Sequence, residues 1–226
     1  IYMGYFSDDM LVKAIEKLMP YRERLEQMIQ DKCCMLFTGN AMEVMYREII
    51  HGEKVIPALN LFDFTSVVDK EKRYVGNYYG QFNERKIVGC KIQETIAYGV
   101  NQDMSIGRGL RGMGINRSTV YEGIRKNNFF GTYLIGPFLI MNPYFTHFLF
   151  SRMGIVRPVL AHANALKDAY ARRIEEFENR STIMEYFYLL ILVFLLLLAC
   201  SDLFVGVSND AVNFLSGALG SRIASF

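Results

Sequence analysis

The residues of this chain that could do chemistry are few, and their spacing rules out several classes at once. The four cysteines are Cys33, Cys34, Cys90 and Cys200. The first two are adjacent, and the last sits in an apolar run. No CxxC or Cys/His spacing is present, so no metal and no cofactor is expected. The histidines, His51, His147 and His162, lie far apart in sequence. Residues 99–117 hold Gly99, Gly107, Gly109, Gly112 and Gly114 together with Arg108 and Arg111. A phosphate cradle needs a strand, a Gly-rich turn and a helix in that order. That order is missing, so the stretch reads as a flexible loop. Asn209, Asp210 and Asn213 follow a long apolar segment, where polar groups are costly and mark functional positions.

The elements that must position these residues follow from periodicity. Residues 1–6 read as a short apolar strand, with Ser7-Asp8-Asp9 placed to cap a helix. Leu11, Ile15, Leu18 and Leu25 recur at helical spacing over residues 10–29, with Pro20 marking a break. Residues 33–37 (CCMLF) form a candidate buried strand, Thr38-Gly39-Asn40 a turn, and residues 41–50 return to helical period. Strand, sharp turn and helix in succession predict a parallel α/β sheet. Short strands are expected from 58 to 96 and again at 129–135, ending at Gly136-Pro137. Asn142-Pro143 opens a helix, and residues 161–179 form an amphipathic helix with Leu166, Tyr170, Ile174 and Phe177 on one face.

Composition changes abruptly near residue 183. Of 226 residues, 51% are hydrophobic, a fraction raised by the C-terminal segment. With 25 basic and 23 acidic residues, interspersed, the formal charge is +2, and no nucleic-acid partner is suggested. Residues 186–201 carry no charge. A bilayer core of ~30 Å needs about 20 apolar residues, so this segment is expected to enter a lipid bilayer. Tyr186, Phe187 and Tyr188 suit an interfacial belt, and Arg172, Arg173 and Arg180 favour a cytoplasmic N-terminal side. Cysteine usage also fits a reduced, cytoplasmic first part. No N-terminal signal peptide is visible, and the chain reads as cut at both ends.

Four stretches carry a resemblance in the first part. They are Gly4-Tyr5-Phe6-Ser7-Asp8, the MLFTGNAMEVM run at residues 35–45, Arg73-Tyr74-Val75-Gly76-Asn77, and residues 130–137 followed by Asn142-Pro143. In order and spacing they resemble class I glutamine amidotransferases of the cobyric acid synthase and lipid II isoglutaminyl synthase type. The resemblance implies a truncated, flavodoxin-like α/β domain over 1–160, lacking the family's first strands. It also implies glutamine hydrolysis by a Cys on the strand–helix elbow and a His base, with ammonia passed to a Mur-ligase-like partner.

Here the elbow position is Thr38 and the His position is Ile135. A thiol with a pKa of about 8.5 supplies thiolate near neutrality, whereas a hydroxyl needs a positioned base. Ile135 cannot accept a proton, so a catalytically inactive domain is expected. Gly39, Asn40, Arg73 and Asn77 remain as candidate ligand contacts by resemblance. An active amidotransferase subunit is the alternative.

Gly206-Val207-Ser208-Asn209-Asp210-Ala211-Val212-Asn213, with Gly217, Gly220 and Ser221 beyond, resembles the signature of the inorganic phosphate transporter family. It implies that 184–226 is a first transmembrane segment, with Asn209, Asp210 and Asn213 contributing to a site for phosphate and sodium or a proton. It also implies discontinuous helices that present backbone N–H groups to the anion. Residues 161–183 would be an amphipathic helix and junction. A fusion of two functions and a transporter fragment with an artefactual upstream extension both remain open.

Overall fold

The apolar run at residues 33–37 supplies the strand around which the first unit is built. The computed structural model describes residues 1–179 and 183–220, in two units, Ile1–Phe177 and Glu178–Phe226. Arg180 and Ser221 lie outside the described residues.

Strand β1 (Tyr2–Met3) pairs in parallel with β2 (Met35–Thr38). The connection is α1 (Asp8–Leu18), a 3-10 turn (Met19–Tyr21) and α2 (Arg22–Gln30). Pro20 sits in that turn, where its missing N–H does no harm. Leu11 and Ile15 of α1 and Leu25 and Ile29 of α2 are buried, the helical face expected from spacing.

The helix expected over 41–50 does not form. Gly39–Met45 is 3-10, and Glu48–His51 is strand β3. All of residues 39–45 are buried, so there is no solvent side for an amphipathic helix to present. The β-branched Ile49 and Ile50 pair instead with β4 (Lys54–Pro57) and β5 (Thr65–Val68).

A long hairpin follows, β6 (Tyr74–Phe82) and β7 (Arg85–Gln93), turning at Asn83 with φ +48°. Then comes β8 (Thr95–Tyr98), antiparallel to β5. The Gly-rich stretch is not wholly a loop. Residues Gly107–Arg111 form β9 between β6 and β10 (Tyr121–Glu122). Its glycines serve close approach: a Cβ on Gly109 would lie 2.9 Å from the Val120 carbonyl oxygen.

Strand β11 (Ile124–Lys126) turns into β12 (Phe129–Thr132), which runs parallel to β2, and β13 (Leu134–Ile135) joins β7. The three sheets are ordered β1-β2-β12-β11, β10-β9-β6-β7-β13 and β4-β3-β5-β8. The fold is thus mixed α/β, with a small parallel portion at its centre.

Helices α3 (Phe138–Met141) and α4 (Pro143–Arg152) are tied to β7 by Asn142. Its Oδ1 accepts from the Val88 N–H (2.8 Å), and its Nδ2 donates to the carbonyls of Val88 (2.7 Å) and Phe138 (2.8 Å). Helix α5 (Ala163–Glu178) half-buries Leu166, Tyr170, Ile174 and Phe177, the expected face. The Tyr170 hydroxyl donates to the Lys86 carbonyl (2.9 Å), and Phe177 stacks on Tyr79 (5.2 Å).

In the second unit α6 spans Ile183–Gly220. Its Tyr188–Asn213 window has a mean hydropathy of 2.7, and none of it is buried. By length and composition it can cross a membrane, since 26 residues rise about 39 Å. The helix runs unbroken through Asn209, Asp210 and Asn213. Their N–H groups therefore sit inside a helix, not at the start of one as the transporter resemblance implies.

Candidate functional site

The elbow after β2 is built by one glycine. Gly39 takes φ +65°, a conformation L side chains resist. A Cβ there would meet Tyr5 Cδ2 at 2.9 Å and Ile135 Cγ2 at 3.2 Å. The turn at residues 4–8 and the end of β13 therefore close over the elbow from two sides. Thr38 is 5% exposed. Its hydroxyl donates to the Met3 carbonyl (3.5 Å) and lies 3.3 Å from the Tyr2 hydroxyl. Gly39 of the elbow and Ile135 of β13 thus lie close together.

Asn40 joins them in a structural role. Its Oδ1 accepts the Phe6 N–H and its Nδ2 donates to the Phe6 carbonyl, both at 2.8 Å. That clamp holds the turn against the elbow. Arg73 pairs with Glu94 at 3.6 Å and its charge opposes the rise at the Tyr5 phenol. Asn77 is exposed on β6, across from Cys90, which is in turn across from Ile135.

Beside the elbow lies a cavity of about 220 Å³. It opens where ligands gather in α/β proteins, beyond the carboxyl ends of parallel strands. Tyr5 and Asp8 follow β1, Asn40 and Glu43 follow β2, and Tyr133 follows β12; Gln93, Glu94, Thr95, His51 and Lys54 also line it. Of the candidate residues read from sequence, Asn40 lines this cavity, while Thr38, Gly39, Ile135, Arg73 and Asn77 do not.

Glu43 is the cavity's central acid and was missed in the sequence. It is wholly buried. Its Oε1 accepts from the hydroxyls of Thr95 and Tyr133 (2.9 Å for Tyr133), and its Oε2 from Ser66 (3.0 Å). Burial lifts its pKa from 4.5 to about 7; the three hydroxyls oppose the rise, and Asp8 adds to it. The Tyr5 phenol is also raised, by burial and then by Glu94, Asp8 and Glu43. A signal for Glu43 existed: it is the single charged residue between Lys32 and Arg47. An acid alone in an apolar run must find partners or neutralise.

A second buried carboxylate stands on the far side of Tyr133. Glu122 Oε2 meets the Lys91 ammonium at 2.6 Å, both side chains fully buried. Lys91 also donates to the carbonyls of Met113 (3.1 Å) and Gly114 (2.5 Å). Burial pulls the Lys91 pKa down, and Glu122 pulls it back up. Glu122 Oε1 accepts from the Thr132 hydroxyl (2.9 Å) and the Tyr133 N–H (2.7 Å). This pair is complete in itself. Among the described residues, no His/Cys/Asp/Glu group could hold a metal ion.

In the second unit, Asn209, Asp210 and Asn213 lie exposed on α6, with the Asn213 carbonyl accepting from the Ser216 hydroxyl (3.0 Å).

No protein-family model matches the chain, and no curated protein matches it. Among solved structures, one described as a crystal structure of glutamine amidotransferase is similar. The similarity covers 68% of this chain and 78% of that chain, with a TM-score of 0.49 and 9% identity. The chain is thus a mixed α/β domain with a cavity beyond its parallel strands, followed by one long apolar helix.

Proposed function

We propose that the first unit is an amidotransferase-like domain that binds a small amide or amino acid without hydrolysing it, and that α6 tethers it to a membrane. The covered elbow carries this reading. The hydroxyl at the nucleophile position is engaged by the Met3 carbonyl, and an aliphatic Ile135 stands against the adjacent Gly39. Nucleophilic attack on an amide needs an exposed nucleophile and a base within hydrogen-bond reach. Thr38 has neither. The cavity next door retains polar groups in a partly open cleft, which suits ligand binding. In this reading a Mur-ligase-like protein is the partner of the domain, and Arg172 and Arg173 keep it on the cytoplasmic side.

The test is ammonia release from L-glutamine by the purified full chain, with ligand binding followed in parallel. No release above a heat-treated control is expected. Turnover that disappears in Thr38→Ala would overturn the proposal.

A second reading concerns α6. Asn209, Asp210 and Asn213, at the end of an exposed apolar span, support a role as the opening segment of an inorganic phosphate transporter coupled to sodium or protons. Phosphate binding to the chain in lipid nanodiscs, followed by phosphorus NMR and lost in Asp210→Ala, would support it. Nanodiscs that bind no more phosphate than protein-free ones would count against it.

A further inference from the structure

The two buried carboxylates of the first unit differ in one respect. Glu122 has an ammonium at 2.6 Å. Glu43, equally buried, is held by three hydroxyls, and among the described residues no cation forms an ion pair with it. It lines the cavity, whereas Glu122 does not. A buried carboxylate without a counter-charge is costly to ionise, and here the missing charge borders a space large enough to admit a molecule.

The other charges at the cavity point the same way. Asp8 and Glu94 line the wall, and their own cations, Lys70 (2.7 Å) and Arg73 (3.6 Å), stand outside the lining. Asp9 adds a further acid, and Lys54 and His51 line the same cavity.

We propose that the cavity takes a ligand bearing a protonated primary amine, and that this ammonium supplies to Glu43 the counter-charge that Lys91 supplies to Glu122. The inference rests on the small-ligand reading above and names the group that reading needs. On binding, Glu43 gives up its proton to solvent and pairs as carboxylate with the ammonium, so charge and protons balance. The Thr95, Tyr133 and Ser66 hydroxyls already donate to both oxygens and hold the carboxylate in place. The free Glu43 titrates near 7, and an alkylammonium stays protonated there. Affinity therefore rises with pH. The titratable groups facing Glu43 are Asp8 on α1, Tyr46 after the 3-10 segment and Tyr133 after β12. Tyr5, Asp9, His51, Lys54 and Glu94 are the other titratable groups of the cavity wall. His51 is the histidine of that wall, so His51→Gln is the control.

The experiment uses the full chain in lipid nanodiscs, with n-propylamine, n-propanol and propionate as probes, followed by saturation-transfer NMR and the Glu43 carboxyl carbon shift. Propylamine alone should bind and move that carbon to its ionised position. Affinity should rise about tenfold between about pH 6 and pH 8, in wild type and in His51→Gln alike. Glu43→Gln should lose about tenfold or more. If that variant does not fold, the wild-type pH profile and carbon shift decide alone. Propanol binding as well as propylamine, or a flat pH profile, overturns the amine assignment and leaves the small-ligand reading standing. If no probe binds and L-glutamine does not either, both fail.

Discussion

The Tyr133 hydroxyl donates to Glu43 Oε1 across 2.9 Å, while the N–H of the same residue donates to Glu122 Oε1 across 2.7 Å. One residue after β12 thus links a carboxylate without a counter-ion to one that has its lysine. The Tyr46 hydroxyl, 3.4 Å from that of Tyr133, extends the network. The cavity wall and the ion pair inside the fold are therefore coupled.

Tyr133→Phe keeps the ring and removes one donor from Glu43. A buried acceptor deprived of a partner costs about 1–3 kcal/mol. The Glu43 pKa should rise further, because a hydrogen bond that favours the charged form is lost. Denaturant unfolding and the Glu43 carboxyl NMR shift measure the two effects.

Glu43 gives stability a pH dependence of unusual sign for an acid. Its folded pKa, about 7, lies above the ordinary 4.5. Between those values the folded state holds more protons than the unfolded one, so stability falls as pH rises through the window. The full drop is on the order of 3 kcal/mol at 1.36 kcal/mol per pKa unit. Glu43→Gln should flatten this part of the stability profile. A slope equal to wild type would show that Glu43 titrates normally.

Lys91→Met leaves Glu122 buried without its cation and should destabilise by about 3–5 kcal/mol. Lys91→Met with Glu122→Gln removes both charges yet keeps an acceptor for Thr132 and the Tyr133 N–H. The double variant should be more stable than the single one. Thermal unfolding of both against wild type tests the order.

Gly39→Ala should cost about 1–2 kcal/mol from the left-handed backbone alone, and more from the 2.9 Å approach to Tyr5. Combining it with Tyr5→Ala should recover the steric part and leave the backbone part. Equal losses in the two backgrounds would mean that Tyr5 does not press on the elbow.

Leu196→Arg places a charge within the apolar span of α6. Central arginine costs about 2.5–3.5 kcal/mol in membrane insertion. The variant should shift from the carbonate-resistant membrane fraction toward the extractable one. An unchanged distribution would argue that α6 is not the anchor.

Where a pattern depends only on neighbours along the chain, the sequence determined the outcome. The buried face of α1 and α2, the half-buried face of α5 and the span in α6 follow from helical spacing or from apolar length. The tertiary structure decided what depends on partners distant in sequence. Ile49 and Ile50 became strand because β4 and β5 lie alongside, and the glycines of β9 pack because β6 and Val120 are near. The Asn40 and Asn142 side chains clamp Phe6 and Val88, residues far away in the chain. Glu43 drew its importance from Ser66, Thr95 and Tyr133, each brought in by a different part of the fold. An isolated acid in an apolar run announces a need. Only the assembled walls determine whether that need is met by a lysine, as at Glu122, or left facing a cavity, as at Glu43.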